Sequence, residues 1–261
     1  MATSVIIMGA AGRMGATLAR LAAASADFEL KAVLEHSGRL HELASPDCLA
    51  GSEAEKLFPL CPQAVVIDFT SPEASLATAR TAAKNGNPVV IGTTGFTPAQ
   101  REELVELAKK LPMFWSPNMS VGVNVMLGLL PELTRMLGES YDIDIVELHH
   151  KAKKDAPSGT ALRLAEALAG ARGWSLEESA CYHREGITGA RPKMEIGLQT
   201  VRGGDIVGVH TVYFMGAGER IEFTHQAHSR ENFAQGALRA AAWLSAQHAG
   251  KLYDMQDVLR A

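Results

Sequence analysis

The sequence has few cysteines and no surplus of positive charge. Its three cysteines, Cys48, Cys61 and Cys181, are an odd number without paired spacing in 261 residues, which favours free thiols in a reducing compartment over a disulfide framework. Lys and Arg number 25 against 29 Asp and Glu, a formal net charge of −4. Without a basic excess we expect no nucleic-acid partner, and an anionic substrate must rely on a local group of cations.

Long apolar runs are also missing. No stretch of about 18 apolar residues occurs, so we expect no membrane span. The first apolar run, Val5–Met8, lacks a cationic segment before it and stops at Gly9, which predicts a strand rather than a signal peptide. The apolar fraction of 47% is ordinary for a protein with a proper core. We therefore expect a cytoplasmic protein with one large or two modest domains.

Short β-rich runs alternate with helical patterns in the first half of the chain. Ser71-Pro72 and Thr97-Pro98 each place a capping residue before a proline, as at a helix start. This alternation predicts a parallel sheet with helices on both of its faces. The predicted strands are Val5–Met8, Leu30–Leu34, Ala64–Phe69, Pro88–Ile91 and Met113–Trp115, and the predicted helices are Gly12–Ala24, Ser71–Asn85 and Thr97–Leu111.

The pattern changes after about residue 118. Helices are predicted at 118–138, 158–171 and 231–247, with a strand at 141–150 and β-type runs at 193–202, 205–216 and 219–228. Gly203-Gly204 and Gly216-Ala217-Gly218 separate those three runs, which predicts hairpins. The sequence thus predicts an α/β fold, in which a Rossmann-like parallel sheet is followed by an α+β domain with a mixed or antiparallel sheet. The dinucleotide-binding domain would comprise residues 1–120 and 230–261, and the substrate-binding and oligomerisation domain residues 121–229.

A glycine-rich turn follows the first predicted strand. Gly9, Gly12 and Gly15 permit a tight turn and close backbone approach, and the helix start offers N–H groups to a pyrophosphate. Glu35 lies twenty residues past Gly15, at the end of the second predicted strand, where a carboxylate accepts both ribose hydroxyls. We infer dinucleotide binding. The loops 92–95 and 116–119 also end strands, so we expect them near the nicotinamide.

The residue after Glu35 bears on the choice of nucleotide. An NADP-specific site usually carries an arginine there, whereas this sequence has His36, which is mostly neutral at pH 7. Arg39 lies three residues further on and could substitute. Because Glu35 repels a 2′-phosphate and His36 attracts it only weakly, we hypothesise that NADH serves at least as well as NADPH.

The segment 146–161 combines two histidines, three lysines and a predicted helix start. His149 and His150 close a predicted strand and should point to opposite faces. As long as the strand continues, the side chains of Lys151 and Lys153 point to the same face as that of His149. Pro157 fits the first turn of a helix, whose first N–H groups, at residues 158–160, lack helical partners. Cations beside such N–H groups suit a small dicarboxylate that must also receive a proton.

The pattern His-His-x-x-Lys-x-Asp-Ala-Pro-Ser-Gly-Thr-Ala at residues 149–161 resembles that of the 4-hydroxy-tetrahydrodipicolinate reductase (dihydrodipicolinate reductase) family. Gly9–Gly15, Gly92–Thr94, Asn118–Asn124 and Gly208–His210 match further landmarks of that family in the same order. The resemblance covers essentially the whole chain. It implies NAD(P)H-dependent reduction of 4-hydroxy-tetrahydrodipicolinate to tetrahydrodipicolinate, in the diaminopimelate route to lysine, by a homotetramer.

The resemblance also implies roles for particular residues. His149 would be the proton donor and acceptor, and Lys153 a proton donor. His150, Lys153 and the N–H groups of Gly159 and Thr160 would hold the dicarboxylate. The implied cofactor-binding residues are Gly9, Ala10, Ala11, Gly12, Arg13, Met14, Glu35, His36, Gly92, Thr93, Thr94, Ser116, Pro117, Asn118 and Met119.

Three other interpretations stay open. Another two-domain nicotinamide-dependent dehydrogenase of amino-acid metabolism would share the first half but not the cluster at 149–160. A non-catalytic redox sensor would need a partner surface, such as a basic helix, which the sequence lacks. A Schiff-base lyase would use Lys153 or Lys154. We expect no metal site, because His225 and His228 fall on opposite faces of a predicted strand and no Cys or carboxylate has suitable spacing.

Overall fold

The chain divides into two units, each built around its own sheet. The structure is a computed structural model that describes residues 2–43 and 47–261. Residues 1 and 44–46, which the predicted first domain includes, lie outside the described residues. Unit 1 consists of Met1–Val121 and Glu231–Ala261, and unit 2 of Gly122–Arg230.

The helices and strands follow one another along the chain in two series. The first series is β1 (Thr3–Met8), α1 (Arg13–Ala24), β2 (Phe28–Leu34), β3 (Leu49–Gly51), α2 (Ala54–Leu57), β4 (Val65–Asp68), α3 (Pro72–Asn85), β5 (Val89–Ile91), α4 (Pro98–Ala108) and β6 (Met113–Trp115). The second series is α5 (Val121–Leu137), β7 (Asp142–His149), α6 (Gly159–Ala171), α7 (Leu176–Ser179), β8 (Ala180–Cys181), β9 (Ile196–Arg202), β10 (Gly208–Gly216), β11 (Glu219–Ala227), α8 (Glu231–Leu244), β12 (Leu252–Tyr253) and α9 (Met255–Leu259).

Unit 1 contains a parallel sheet in the order β12-β6-β5-β4-β1-β2-β3. Successive side chains of β1 enter different cores, since Val5 and Ile7 pack with α8 while Ile6 packs with residues of α3 and α4. The chain builds β2 and β3 on one side of β1 and β4 to β6 on the other. The order reverses between β1 and β4, where open α/β sheets bind ligands at the carboxyl ends of their strands.

The alternation in the first half predicted this sheet correctly. All five predicted strands and all three predicted helices are present there, with ends shifted by a few residues. Both predicted caps form: the Ser71 hydroxyl accepts the N–H of Ala74 at 3.3 Å, and Thr97 forms a reciprocal capping box with Gln100. The short strands β3 and β12 and the helices α2 and α9 were not predicted.

Unit 2 contains a mixed sheet in the order β11-β10-β7-β9-β8. The predicted hairpin across 216–218 is confirmed, because β10 and β11 pair antiparallel. The predicted hairpin across Gly203-Gly204 is wrong: β7 lies between β9 and β10 and pairs parallel with β9. The reason is the crossover through α6: after β7 the chain passes along α6 and α7 and returns in the same direction to β8 and then to β9.

The central strand β7 carries the site of unit 2. Its burial alternates, so Ile143, Ile145, Glu147 and His149 face the interior. The two isoleucines pack with α6, and the two polar residues continue the same face at the end of the strand. β7 ends at His149, one residue earlier than predicted. Within the described part of the chain, no helix combines the length and the apolar character that a membrane crossing requires.

Candidate active site

The turn between β1 and α1 requires glycine at two of its positions. Gly9 has a φ of +63°, a region that residues with a Cβ rarely adopt. A Cβ on Gly15 would lie 2.1 Å from the carbonyl oxygen of Gly9. Helix α1 can therefore begin close against the turn only because residue 15 is a glycine.

Most N–H groups of the turn are already used inside unit 1. Ala10 donates to the carbonyl oxygen of Leu34 at 3.0 Å and Gly12 to that of Gly9 at 2.9 Å. The first bond within α1 runs from Ala16 to the carbonyl of Gly12, and α1 has no side-chain cap. The N–H groups of residues 13–15 thus form the part of the turn that suits an anion.

Glu35 is buried at the end of β2 and fastens the turn to that strand. Its Oε2 accepts the N–H of Ala11 at 2.9 Å, and its Oε1 accepts the N–H of His36 at 2.8 Å. The position of this carboxylate predicted a bond to the ribose hydroxyls, whereas its bonds to the backbone were not predicted. An ionised carboxylate has about four lone-pair sites, so both roles are compatible.

His36 and Arg39 lie beside Glu35 and are exposed. The Nδ1 of His36 accepts the N–H of Gly38 at 3.2 Å, so in this geometry that nitrogen carries no proton. Arg39 forms two bonds with Glu42, at 3.0 and 2.7 Å, and donates to the carbonyl of Ala11 at 3.3 Å. The guanidinium of Arg39 is therefore partly neutralised by its acidic neighbour Glu42.

A buried polar network that sequence analysis missed lies at the ends of β4 and β5. Asp68 is fully buried, and its Oδ1 accepts three bonds: from the Thr70 N–H at 2.8 Å, the Thr70 hydroxyl at 2.6 Å and the Ser75 hydroxyl at 2.9 Å. Ser75 also bonds Thr93 at 2.7 Å. Thr70 contacts the turn, since a Cβ on Gly9 would lie 2.8 Å from its methyl group.

The two remaining predicted loops end β5 and β6 at the same edge of the sheet. A Cβ on Gly92 would lie 2.1 Å from the ring of Phe69. Ser116 is buried and its hydroxyl donates to the carbonyl of Asn118 at 2.7 Å. Met119 lies in the hydrophobic core at 1% exposure, and its carbonyl oxygen packs against α8, since a Cβ on Gly236 would lie 1.8 Å from it. Thr94 is exposed and Pro117 and Asn118 are half-buried.

In unit 2, three neighbouring strands bring polar side chains to one face of the sheet. Strand pairing places Thr200 and His210 on either side of Glu147, and Arg202 beside His149. The Nδ1 of His149 lies 2.5 Å from Oε2 of Glu147. The rings of His149 and His210 contact edge to face, with centroids 5.2 Å apart.

The Glu147 carboxylate is the centre of this group. Arg202 donates to both of its oxygens, each at 2.8 Å. The N–H of Ser158 donates at 2.9 Å and the Thr200 hydroxyl at 3.2 Å. The Ser158 N–H, which we expected to be available to a ligand, is therefore occupied by Glu147.

Burial sets the electrostatics of the group. It lowers the pKa of His149 and, with the help of Lys153 and Arg202, outweighs the opposing effect of Glu147. Burial alone would raise the pKa of Glu147, but hydrogen bonds from Arg202, His149 and the Ser158 backbone lower it overall. Burial, with a contribution from His149, lowers the pKa of His210 to about 4.

Lys153 lies in the loop after β7 rather than on the strand, so the predicted strand parity does not apply to it. Its side chain is 21% exposed and its Nζ pairs with Asp155 at 2.9 Å. Its N–H donates to the carbonyl of His150 at 3.1 Å. Arg202 also donates to the carbonyl of Asp155 at 2.7 Å, which ties this loop to Glu147.

Gly159, the first residue of α6, is exposed, although the helix begins later than predicted. Ser158 caps the helix by accepting the N–H of Ala161 at 3.2 Å, and Pro157 precedes the cap instead of lying in the first turn. A Cβ on the exposed Gly159 would contact nothing within 4 Å. His150 and Thr160 are half-buried.

The described residues contain no group of three or more His, Cys, Asp or Glu side chains arranged to hold a metal. The side chains on this face of the unit 2 sheet are acids, bases and cations. An imidazole held by a carboxylate, a lysine nearby and a helix N-terminus can bind an anion and transfer a proton.

Known proteins of one family match this chain over nearly its whole length. Residues 3–119 match the family model for the N-terminus of dihydrodipicolinate reductase, and residues 122–259 match the model for its C-terminus. The chain is 64% identical over 258 residues to a 4-hydroxy-tetrahydrodipicolinate reductase of Nitratidesulfovibrio vulgaris, covering 99% of this chain and 100% of that one. It is 58% identical to the Desulfovibrio desulfuricans protein of the same name, with the same coverage.

A solved structure is also similar. Dipicolinate-bound dihydrodipicolinate reductase from Paenisporosarcina sp. TG-14 superposes with a TM-score of 0.78 at 25% identity, covering 97% of this chain and 98% of that one. The matches include the segment 149–161, which the alternative two-domain dehydrogenases would not share.

Proposed function

Because this chain belongs to the dihydrodipicolinate reductase family, we propose that it reduces 4-hydroxy-tetrahydrodipicolinate to tetrahydrodipicolinate with NADH or NADPH. This is a step of the diaminopimelate route to lysine. The observation that carries the proposal is the full-length likeness to reductases of that name. The buried Glu147–His149 pair, with Lys153 and the start of α6 nearby in unit 2, supplies groups suited to that chemistry.

Unit 1 fits a dinucleotide. The N–H groups of residues 13–15 would bind the pyrophosphate, and Glu35 would accept ribose hydroxyls with its remaining lone pairs. The loops that begin at Gly92 and Ser116 lie at the carboxyl ends of β5 and β6 and would contact the nicotinamide end. When bound, the nicotinamide supplies a hydride.

Unit 2 fits the substrate, a cyclic imine that bears two carboxylates. The N–H groups of Gly159 and Thr160 would hold one carboxylate, and His150 and Lys153 the other. Lys153 would then exchange its exposed partner Asp155 for the substrate. That exchange keeps the lysine paired, so binding does not leave a charge unsatisfied.

His149 would supply the proton. Loss of water from the substrate leaves a conjugated C=C–C=N system, and hydride addition at its far carbon leaves negative charge on an enamine-like anion. The imidazolium of His149 would donate a proton from Nε2 to quench this anion, and Lys153 would stabilise the charge or donate as well. Relatives of this chain support the substrate class, since the Paenisporosarcina enzyme is described as dipicolinate-bound.

We further propose that the protein is cytoplasmic and forms a homo-oligomer, a tetramer as is typical of the family. The nine-residue edge strand β11 supports this, because pairing with another copy would satisfy its outer backbone groups. Light scattering after size-exclusion chromatography measures the assembly, and a monomer would rule it out.

The function is tested by nucleotide oxidation in the presence of the freshly generated condensation product of pyruvate and aspartate semialdehyde. We expect substrate-dependent oxidation with either nucleotide. The absence of turnover with both would overturn the proposal, whereas turnover of another amino-acid substrate in its place would favour a different dehydrogenase.

The same assay tests the preference for NADH. Glu35 repels a 2′-phosphate, His36 offers no proton at Nδ1, and Arg39 is paired with Glu42. We therefore expect kcat/KM with NADH to equal or exceed that with NADPH. A value for NADPH tenfold above that for NADH, which corresponds to about 1.4 kcal/mol, would contradict this prediction.

A further inference from the structure

The buried carboxylate of Glu147 touches none of the groups proposed to bind or protonate the substrate except His149. Its side chain is 1% exposed, and it lies two residues before His149 on the same face of β7. We propose that Glu147 is a positioning residue, which fixes the tautomer and the orientation of the His149 ring for proton transfer. This proposal rests on the proposed function, because it assigns the reacting nitrogen of that site.

The geometry determines which nitrogen reacts. An ionised carboxylate only accepts hydrogen bonds, so the 2.5 Å contact between Oε2 of Glu147 and Nδ1 of His149 requires the proton on Nδ1. In the neutral ring Nε2 is then the base, and in the charged ring Nε2 holds the proton to be donated. Gly208 lies beside this nitrogen, and a Cβ there would approach Nε2 to 3.1 Å. A glycine thus keeps space beside the reacting atom.

Other residues hold Glu147 ionised and immobile. Arg202 binds both oxygens in a bidentate pair, and the Ser158 N–H and the Thr200 hydroxyl bind Oε1. Four donors besides His149 thus fix the plane of the carboxylate, and through it the plane of the imidazole. The register of β7 against β9 brings these side chains to the carboxylate, because Thr200 pairs with Glu147 and Arg202 pairs with His149.

A purely structural role explains this arrangement less well. Burying an ion pair is costly, and apolar side chains of similar volume stabilise a protein as well or better. The face of β7 is already apolar at Ile143 and Ile145, and continuing it with apolar residues would complete the core. The carboxylate appears instead where an imidazole needs a fixed partner.

Burial lowers the pKa of His149, Glu147 on its own strand opposes this, and Lys153 in the following loop and Arg202 on β9 lower it further. His210 on β10 contacts its ring. The negative charge of Glu147 opposes the other effects and keeps the imidazolium accessible. Removing that charge must make His149 harder to protonate.

The first test is the variant Glu147→Gln, which has the same shape without the charge. We expect kcat to fall about 10- to 100-fold, a part of what a positioned acid supplies, with KM for the substrate little changed. The alkaline limb of the kcat profile should shift to lower pH by at least about one unit. Glu147→Asp keeps the negative charge but moves it away from the His149 ring. It should retain the alkaline limb of the wild-type kcat profile, with an intermediate kcat.

The matched control is Glu106→Gln on α4. Glu106 pairs with Lys109 at the surface, at 2.6 Å, and we expect neither its kcat nor its pH profile to change. A Glu147→Gln enzyme with the wild-type kcat and pH limb would overturn the proposal.

The second test needs no variant of Glu147 and stays decisive if that variant does not fold. Nitrogen-15 spectra of the wild-type protein, with the His149 signals assigned by their loss in His149→Gln, report the tautomer directly. We expect neutral His149 to carry its proton on Nδ1. A proton on Nε2 would refute the proposal. Failure of the proposed function would appear separately, as wild-type protein that does not turn over the substrate.

Discussion

At the scale of single residues, His149 and Lys153 stand in different surroundings. His149 is buried, and burial lowers its pKa. Lys153 pairs with an exposed aspartate in a loop, a partner that is easily exchanged. We therefore propose that His149 performs the central proton transfer and that Lys153 shares in binding and charge stabilisation.

This assignment predicts different kinetics for two variants. His149→Gln and Lys153→Ala should each lower kcat by about 10²–10⁴, the range for a positioned acid, and Lys153→Ala should also raise KM because it loses a carboxylate partner. Lys154→Ala is the matched control, since Lys154 is exposed, and it should keep the wild-type values. A His149→Gln enzyme with near-normal turnover would eliminate His149 as the proton donor.

At the scale of elements, the packing of α1 against the glycine turn depends on the missing side chain at Gly15. A Cβ there would overlap backbone atoms of residues 9 and 10 at 2.1 to 2.8 Å, and backbone cannot yield as a flexible side chain can. Gly15→Ala must move the N-terminus of α1, and with it the N–H groups proposed to bind the pyrophosphate.

We expect Gly15→Ala to cost about 1–3 kcal/mol of stability, the usual effect of overpacking, and to weaken nucleotide binding. Gly170→Ala is the matched control, because Gly170 is exposed inside α6 with nothing within 4 Å of its Cβ position. That substitution should stabilise the protein by up to about 1 kcal/mol. Urea unfolding and nucleotide titration measure both effects, and equal changes in the two variants would contradict the argument.

Local patterns predicted the helices and strands of this fold better than they predicted which strands pair with one another. Strands with apolar runs and helices with caps were recognisable, because a few adjacent residues determine them. Strands of two residues, such as β8 and β12, are too short for any periodicity. The partner of β9 depends on the crossover through α6, and the Gly203-Gly204 turn suggested a hairpin where the β–α–β order favours parallel pairing.

The same limit applies to the candidate site. His149, Lys153 and Gly159 lie within a few positions of one another and share one motif. Glu147 was within reach of sequence analysis, since an acidic residue at the buried parity of an apolar strand calls for a partner. Arg202 and His210 lie far along the chain, and only the register of three strands brings them to Glu147.

At the scale of the whole molecule, buried neutral histidines make the folded state sensitive to acid. Burial lowers the pKa of His149, His210 and His225. As the pH falls, each of these binds a proton in the unfolded chain before it does so in the folded one, and stability is lost. For His210 the loss begins near the unfolded pKa of about 6.5 and continues to the folded value of about 4.

The contribution of His210 to this acid sensitivity can be measured. Between pH 7.5 and pH 5, His210 should remove about 2 kcal/mol from the free energy of unfolding. His210→Gln keeps a polar partner for the Ser158 hydroxyl, which lies 3.0 Å from Nε2, but cannot titrate, so its stability should fall less over that range. His248→Gln, at an exposed position, should keep the wild-type dependence. Urea unfolding at both pH values measures the difference, and a His210→Gln protein as acid-sensitive as the wild type would show that His210 is protonated in the folded state as readily as in the unfolded chain.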